Sequence, residues 1–331
     1  MKNTVFIFNA VFFLIFGCQS DITKIVPPLN QEEENKEKVE FPPHWVKQSV
    51  FNGQSEIALY RNNTSVGTKK TNMYALVFDP VAIEFKPVLS ATAKKTSQFF
   101  SDESGDVYAV ANGGYFGPGV SYSLVRYNGE TLAGNIPSLN RNYQGTATPY
   151  YPTRSAFGLN TQHKPSVGWV YSVNQGGNQL YIYPQPSPNA EGSAPQPVPS
   201  PSFPSGGSPW DVRNAIGGSP VLVKDGVLKI TDSEELISVD NTSSRPRTAI
   251  GYLENGLVVL FVAEGGNTSE GIPGLTLQEV ANQMKDIGCK GAINLDGGGS
   301  SAMVVKGEHT IKPSDATGER AVISAIVIKK K

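Results

Sequence analysis

The sequence predicts an α+β fold, built on a mixed, mostly antiparallel β-sheet with a few short helices. Its 331 residues include 34 Gly and 24 Pro, and only 17% are charged. Average soluble domains hold roughly 12% Gly plus Pro and about 25% charged residues, so this composition favours strands and shaped loops over long helices. Short apolar runs bounded by turn-forming residues, such as 74–78 before Asp79 and Pro80, are typical of strands. With 39% hydrophobic residues, the chain can also build a substantial core.

The charge balance disfavours a nucleic-acid partner. The chain carries 28 Lys+Arg against 29 Asp+Glu, a formal net charge of -1. This near-neutral balance is not typical of proteins that bind nucleic acid through a basic surface, and we expect no nucleic-acid partner. The three histidines, His44, His163 and His309, lie far apart in sequence and form no clustered metal motif. We therefore predict neither a cofactor nor a metal site.

Residues 1–17 are typical of a secretory signal peptide. A lysine at position 2 precedes an apolar run over 5–16, which is too short to span a bilayer. The run ends in Gly17 and Cys18, which resembles a bacterial lipobox, so we predict that Cys18 is lipidated and becomes the first residue. The alternative is an ordinary cleaved signal that contains a cysteine. The lipobox interpretation predicts an exported bacterial lipoprotein, anchored on the outer membrane or a periplasmic face.

Residues 18–43 are predicted to form a flexible tether, because they are rich in Pro, Glu and Lys and lack aromatic residues until Phe41. A strand-rich extension is expected over 44–69, followed by the main domain over 70–331. The Pro/Ser-rich tract 184–209 is interpreted as a surface loop inserted into that domain. A domain boundary near residue 190 is the alternative. Cys289 is expected to be a buried core residue.

Two segments show a helix, a strand and then a polar residue followed by glycines. The clearer helix spans about 277–287, with a capping-box pattern at Thr276 and Glu279 and a capping glycine at 288. A strand then leads into Asp-Gly-Gly-Gly-Ser-Ser over 296–301. The earlier segment has a helix over about 96–102 and a strand ending in Asn-Gly-Gly-Tyr-Phe over 112–116. If the two ends meet in space, they form a cleft floored by backbone, which suits close approach of a ligand.

The motif at 296–301 matches no common nucleotide or hydrolase signature. No Gly-Lys-Ser/Thr follows it, no helix opens after it, and Gly-x-Ser-x-Gly is absent. The motif alone is equally consistent with a glycine turn before a strand. What it offers chemically is a carboxylate at a strand end, beside exposed amides and two hydroxyls.

Three arginines stand at or just before predicted strands. Arg247 and Glu264 lie at the open ends of two paired strands, so both are expected at the same end of the sheet. A cation and a carboxylate at the same end of a sheet suit the binding and cleavage of an anionic substrate. The same pattern also fits a solvent-exposed Arg247 at a strand start and a Glu264 in a turn. Arg154 repeats the Arg-x-Ala-x-Gly pattern of Arg247, and Arg320 opens the last strand.

Taken in order, these motifs resemble the phosphodiester glycosidase family over about residues 70–330. The most specific part is Asn-Leu-Asp-Gly-Gly-Gly-Ser over 294–300, and 216–226 resembles the central region of the family. The N-terminal strands before residue 70 and the Pro/Ser loop depart from its pattern. The resemblance implies hydrolysis of a sugar-1-phosphodiester, of N-acetylglucosamine type, at the glycosidic C–O bond. The substrate is expected in glycans or cell-envelope polymers, and the products are free sugar and a phosphomonoester.

On that resemblance each site residue has an expected role. Guanidinium groups bind phosphate bidentately. Carboxylates stabilise an oxocarbenium-like centre, or act as the nucleophile or the base that activates water. The expected catalytic residues are Asp296, Glu264 and Arg247. The expected substrate-binding residues are Asn112, Gly113, Gly114, Arg154, Asn294, Gly297, Gly298, Ser300, Ser301 and Arg320.

Two other functions fit the same residues. One is a non-catalytic glycan-binding surface lipoprotein, because a fold does not guarantee an activity. The other is a metal-dependent phosphodiesterase that cuts P–O, with Asp296 and Glu264 as oxygen ligands. Chelator sensitivity and the position of the cleaved bond separate these alternatives.

Overall fold

The computed structural model describes residues 41–173 and 179–331. The predicted signal peptide (1–17), Cys18 and the tether as far as residue 40 lie outside the described residues. No helix among the described residues is long and apolar enough to cross a membrane.

The described residues form 24 strands. The first are β1 (Val46–Lys47), β2 (Ile57–Asn62), β3 (Met73–Phe78), β4 (Ile83–Lys94), β5 (Val107–Asn112), β6 (Phe116–Gly117), β7 (Val120–Ser121) and β8 (Val125–Tyr127). Next come β9 (Glu130–Ala133), β10 (Leu139–Tyr143), β11 (Thr146–Tyr150), β12 (Arg154–Leu159), β13 (Pro165–Ser172), β14 (Leu180–Tyr183), β15 (Ser208–Pro209) and β16 (Asn214–Gly217). The last are β17 (Val221–Lys224), β18 (Val227–Leu228), β19 (Arg247–Leu253), β20 (Val258–Ala263), β21 (Cys289–Asn294), β22 (Met303–Val305), β23 (Glu308–His309) and β24 (Val322–Lys330).

The two predicted helices are confirmed. Helix α1 covers Thr96–Asp102 and helix α2 covers Leu277–Asp286. The N-cap of α2 forms as the sequence predicts: the Thr276 hydroxyl accepts from the Glu279 backbone N–H at 3.2 Å, and the Glu279 carboxylate accepts from the Thr276 N–H at 2.8 Å. Gly288 follows the helix with φ of +97°, the left-handed conformation that favours glycine.

An eight-stranded sheet combines three strands from the N-terminal part of the chain with five from the C-terminal half. Its order is β1-β2-β3-β20-β19-β21-β17-β18, and its ladders are antiparallel. Strand β20 is buried along its whole length and is paired on both sides, which explains its continuous apolar sequence. The predicted mostly antiparallel pairing is confirmed, but no parallel pair is found among the described strands, and strands outweigh the two helices more strongly than the predicted α+β class implies.

Two further sheets complete the fold. A seven-stranded sheet has the order β15-β14-β13-β12-β16-β8-β9, and a five-stranded sheet has the order β23-β22-β5-β24-β4. Two hairpins, β6-β7 and β10-β11, stand apart from them. The Pro/Ser-rich tract 184–209 leaves the seven-stranded sheet after β14, contributes β15 to its edge, and is followed by β16 in the same sheet.

One apolar core joins the three large sheets. It contains Leu260 of the eight-stranded sheet, Phe157 and Trp169 of the seven-stranded sheet, and Ile326 of the five-stranded sheet. Helix α2 covers the other face of the eight-stranded sheet with the side chains that the 3.6-residue spacing predicts: Leu277, Val280, Ala281 and Met284. Cys289 packs in this second core and is buried, as predicted. Burial raises the pKa of its thiol.

Candidate active site

The two glycine-containing segments predicted from the sequence meet in space. The Asn112 side-chain amide donates to the backbone carbonyl of Asp296 at 2.8 Å, and the Asp296 N–H donates to the carbonyl of Gly113 at 3.2 Å. The Asn112 Oδ1 accepts from the Thr248 hydroxyl at 2.8 Å and from the Ala302 N–H at 3.1 Å. Asn112 is fully buried, and its amide is fully used in holding these segments together. This geometry supports a positioning role for Asn112.

Close packing explains the two glycines after Asn112. A Cβ on Gly113 would lie 2.4 Å from the Ser324 hydroxyl, and one on Gly114 would lie 2.3 Å from the Gly217 carbonyl. Neither position has room for a side chain. These glycines bring the backbone of the 112–116 segment against the two neighbouring sheets.

Asp296 lies at the end of β21, next to the glycine turn that the same motif supplies. Its carboxylate accepts from the Gly297 N–H at 3.0 Å. Burial raises the pKa of Asp296 to about 6, against an ordinary value of 3.8, and it outweighs the opposing effects of Ser300, the Gly297 amide and Arg320. A carboxyl group that is hard to ionise and adjoins a cation is typical of an active site.

Tyr115 lies near Asp296 and is held by the neighbouring strands. Its hydroxyl donates to the Ser219 carbonyl at 2.7 Å and accepts from the Asn294 amide at 2.7 Å. Burial raises the pKa of Tyr115, and the nearby Asp296 adds to this shift, while Arg247 and Arg154 oppose it. The phenol is therefore neutral, and it lies close to one acid and two arginines.

A buried glutamate organises the strands behind Tyr115. Glu235 Oε1 accepts from Trp169 Nε1 at 3.0 Å, from the Thr231 hydroxyl at 2.6 Å and from the Val221 N–H at 2.9 Å. Its Oε2 accepts from the Ser155 N–H at 2.9 Å and from the Ser219 hydroxyl at 2.6 Å. Glu235 is fully buried. It thereby fixes Ser219, whose carbonyl holds Tyr115.

Arg154 has donor capacity left for a ligand. Its Nη2 donates to the Leu236 carbonyl at 3.1 Å, whereas its buried Nε has no hydrogen-bond partner among the described residues. Burial lowers the pKa of Arg154, and the neighbouring Glu235 opposes that shift. An unpartnered guanidinium N–H in this setting is suited to an anionic ligand, because buried donors are normally satisfied.

Arg247 lies at the predicted end of the sheet, but the hydrogen bonds of its guanidinium go to backbone carbonyls. It donates to the carbonyls of Leu275 at 3.0 Å and Ser243 at 3.1 Å, and also to that of Asp240. Burial lowers its pKa. Arg247 thus holds the 240–243 loop and the start of α2 beside the site, while remaining close to Tyr115.

Arg320 is the more accessible arginine. Its guanidinium pairs with Asp315 through Nε to Oδ2 at 2.9 Å and Nη2 to Oδ1 at 3.0 Å, and its side chain is 47% exposed. The pair lies against Gly299, where a Cβ would be 2.3 Å from both Arg320 Nη2 and Asp315 Oδ1. Glycine at this position therefore permits the arginine to approach the 296–301 turn.

Glu264 lies at the same sheet end as Arg247, because Ala263 pairs with Arg247 in the β19–β20 ladder. Its carboxylate accepts from the Asn72 amide at 2.7 Å, the Asn267 amide at 2.6 Å and the Lys312 N–H at 3.3 Å. These donors occupy both oxygens. None of the hydrogen bonds described for Glu264 reaches Asp296, so the geometry favours Asp296 as the reacting carboxylate.

The remaining predicted ligands line the turn after Asp296. Gly297 and Gly298 open it, and Gly298 has φ of +60° with no atom near its Cβ position. Ser300 and Ser301 are buried, and both the Ser301 hydroxyl and Asn294 Oδ1 lack a hydrogen-bond partner among the described residues. The site thus combines an acid, arginines and unsatisfied polar atoms, which suits a polar, anionic ligand. No three His, Cys, Asp or Glu side chains of the described ranges group closely enough to hold a metal.

Sequence reasoning missed Tyr115, Ser219, Glu235 and Asp315. Tyr115 stands inside the 112–116 motif, so its position was a usable signal. Glu235 follows Asp232 and Glu234 in an acidic run of the kind that is usually solvated, and only the fold buries it.

The protein thus has an antiparallel three-sheet fold with a half-buried acid near an arginine. The model of the family described as phosphodiester glycosidase matches residues 105–329. The chain is 32% identical over 116 residues to the SPbeta prophage-derived uncharacterised protein YomE of Bacillus subtilis strain 168. This match covers 35% of this chain and 17% of that protein. The chain is also 32% identical over 111 residues to the N-acetylglucosamine-1-phosphodiester alpha-N-acetylglucosaminidase of Mus musculus, which covers 30% and 21%.

A solved structure shows the same fold. The zebrafish N-acetylglucosamine-1-phosphodiester alpha-N-acetylglucosaminidase catalytic domain, auto-inhibited by its pro-peptide, matches with a TM-score of 0.55 and 17% identity, covering 88% of this chain and 85% of that one. The chain belongs to the phosphodiester glycosidase family, a family of hydrolases. Its matches span about a fifth of the length of the mouse relative and less of the prophage protein.

Proposed function

We propose that this protein hydrolyses a sugar-1-phosphodiester at the glycosidic C–O bond. The observation that carries the proposal is the Asp296 carboxyl, buried enough to have its pKa raised to about 6 and close to Arg320 and to the Tyr115 hydroxyl, with Arg154 and Arg247 near that hydroxyl. Family membership supports the same reaction. We propose N-acetylglucosamine as the sugar, because the mouse relative is named for that activity.

The proposed chemistry balances without a cofactor. The bond between C1 and the bridging oxygen breaks, and its electron pair stays on the phosphate oxygen. A water oxygen forms the new bond to C1, and the proton that it loses goes to solvent. A phosphomonoester is already a good leaving group, so stabilising its growing charge matters more than protonating it.

The residues divide these tasks. Arg320 and the free Nε–H of Arg154 bind the phosphate oxygens, since guanidinium groups suit phosphate. Ionised Asp296 stabilises the positive charge that develops at C1, or attacks it. The Ser300 and Ser301 hydroxyls, Asn294 Oδ1 and the amides of Gly297 and Gly298 hold sugar or phosphate oxygens. Tyr115, Asn112 and Arg247 position these groups.

We also propose that the protein acts in the cell envelope as a lipoprotein anchored through Cys18. The support is the sequence of residues 1–18, which resembles a lipoprotein signal. Under this proposal the substrate is a glycan or envelope polymer that carries phosphodiester-linked sugars.

The test locates the bond that breaks. The full chain, purified in detergent, is incubated with methyl N-acetylglucosamine-1-phosphate in water enriched in heavy oxygen, with and without chelator. Release of free sugar with no heavy oxygen on the phosphate, unaffected by chelator, is the expected result. Label on phosphate would instead assign P–O cleavage, and binding without turnover would favour a glycan-binding protein.

Two variants test whether the activity depends on Asp296. Asp296→Asn is expected to lose turnover and keep its fold. The matched control is Asp225→Asn, whose side chain is 76% exposed and pairs with Lys224 at the surface. Retained activity in Asp296→Asn would remove Asp296 from the mechanism.

A further inference from the structure

An open groove of about 640 Å³ adjoins the candidate active site. Its volume lies in the range of sites for small organic ligands, roughly 300–1,000 Å³. The groove runs between the end of β4 and the β6–β7 hairpin, and its principal lining residues are Ala91, Ala93, Phe116, Pro118, Ile323 and Arg320. Apart from Arg320, the only polar side chain among the described lining residues is Thr92.

A β-bulge forms one wall of this groove. In the β4–β24 ladder, Leu89 pairs with Ser324 and Lys94 pairs with Val322, so four residues of β4 stand opposite the single residue Ile323. The bulged residues 91–93 are small and exposed. Bulges of this kind interrupt a ladder and redirect side chains next to active sites. Here the bulged residues 91–93 and Ile323, which stands opposite them, all line the groove.

The groove and Asp296 share one neighbour, Arg320. Arg320 lines the groove, packs against the 296–301 turn at Gly299, and acts on the Asp296 carboxyl through its charge. On the opposite wall, Phe116 directly follows Tyr115, whose hydroxyl lies near Asp296. A phosphate bound by Arg320 would therefore lie near both the acid and the apolar lining of the groove.

We infer that this groove binds the aglycone, and that the aglycone is an apolar alcohol. The inference rests on the proposed function and specifies its substrate class: a sugar-1-phosphodiester whose phosphate carries an alkyl or similarly apolar group. Arg320 complements the phosphate charge, and the methyl, ring and methylene groups of the lining complement the chain beyond it. A sugar aglycone would leave most of its hydroxyls without side-chain partners in this groove, which disfavours it.

The test compares two substrates that differ only beyond the phosphate. The full chain in detergent is assayed for free sugar released from the methyl and hexyl esters of N-acetylglucosamine-1-phosphate. The hexyl ester is expected to have a kcat/KM about tenfold higher or more, since each methylene moved from water onto an apolar surface favours binding.

A charge placed in the groove should remove that preference. Ala93→Glu is expected to lower kcat/KM for the hexyl ester about tenfold and to change the methyl ester less than about twofold, because the carboxylate would be desolvated by the chain. Ala91→Glu is a second variant on the same bulge, and thermal midpoints establish that both fold. Val227→Glu, at a valine 62% exposed on another sheet, controls for an added surface charge.

The outcomes separate the inference from the proposed function. Equal kcat/KM values for the two esters, or equal losses on both in Ala93→Glu, would overturn the inference and leave the proposed function intact. If neither ester turns over, the proposed function fails. Calorimetry with hexyl phosphate and inorganic phosphate then tests whether the groove binds an apolar phosphoester. Tighter binding of hexyl phosphate that Ala93→Glu abolishes supports such a site. Equal binding of the two overturns it.

Discussion

At the scale of single residues, the site depends on a carboxyl group that the fold makes hard to ionise. Asp296 contacts few donors that would offset its burial, and its folded-state pKa of about 6 lies above the ordinary value of 3.8. The protein therefore keeps this acid at a cost in stability, as is common where a catalytic group requires a perturbed pKa.

The cost of Asp296 has a definite pH dependence. Because its folded-state pKa is raised, its contribution to stability is full below the unfolded pKa and is lost as pH rises through about 6. Asp296→Asn should therefore raise the free energy of unfolding by about 1–3 kcal/mol at about pH 8 and change it little at about pH 4. Denaturant unfolding at the two pH values measures this. An equal effect at both would contradict a raised pKa in the folded protein.

A second residue-scale prediction concerns Gly299. An alanine Cβ there would displace the Arg320–Asp315 ion pair, whose far ends can move with little strain. Gly299→Ala should lower kcat/KM about tenfold or more by moving a phosphate-binding arginine, while the thermal midpoint stays nearly unchanged because the pair is half-exposed.

The control for this prediction is Gly134→Ala, at a glycine that has no atom near its Cβ position. The comparison uses steady-state kinetics and thermal melting of both variants. Unchanged kinetics in Gly299→Ala would mean that the position of Arg320 does not matter for turnover.

At the scale of elements, the buried Glu235 carboxylate links two sheets. Glu235 receives five hydrogen bonds, from β12, β13, β17 and the segments beside them. These bonds link the seven-stranded and eight-stranded sheets at the point where the Ser219 carbonyl holds Tyr115. The alignment of two sheets and the placement of a site residue thus depend on the same side chain.

Glu235→Gln should test that dependence. An amide replaces one acceptor with a donor, so at least one donor loses its partner, and we expect about 2–3 kcal/mol less unfolding free energy. We also expect a lower kcat with little change in KM, since Glu235 is a positioning residue. Glu234→Gln, its less buried neighbour, is the control. A loss of stability with full kcat would show that Glu235 supports the fold alone.

The sequence could predict the elements whose signals are local. The capping box at Thr276 and Glu279, the apolar stripe of α2 and the alternation of strands with turns all depend on neighbours in the chain. The meeting of Asn112 and Asp296 was only a conditional prediction, because pairing across 184 residues leaves no local signal. Glu235, among other acidic residues, could not be distinguished from a solvated side chain.

The arginines illustrate the same limit. Arg154 and Arg247 begin strands and Arg320 lies just before one, and the residue pattern marks all three as candidate phosphate-binding cations. The structure separates them by their partners: Arg247 donates to backbone carbonyls, Arg320 pairs with Asp315, and Arg154 keeps an unpartnered Nε. Leu275 and Leu236 lie far from Arg247 and Arg154 in sequence, so no local pattern could have shown these two partners.

At the scale of the whole molecule, the three sheets share one core, and the 112–116 and 296–301 segments meet through backbone and Asn112 hydrogen bonds. The remaining prediction at this scale concerns Cys18. In bacterial cells fed a labelled fatty acid, the full chain should incorporate label, and Cys18→Ser should not. Cys289→Ser controls for the other cysteine, and label that persists in Cys18→Ser would refute the lipoprotein assignment.

The edges of the sheets bear on how copies of this protein behave when crowded together. The eight-stranded sheet ends in β1 and β18, of two residues each, which leaves little free backbone for strand addition by another chain. The long edge strand β4 is interrupted by Pro87, which has no N–H to donate, and by the bulge after Leu89. The bulge that lines the groove therefore also protects against aggregation, and a deletion that removed it would leave Pro87 alone to interrupt an edge on which copies could assemble.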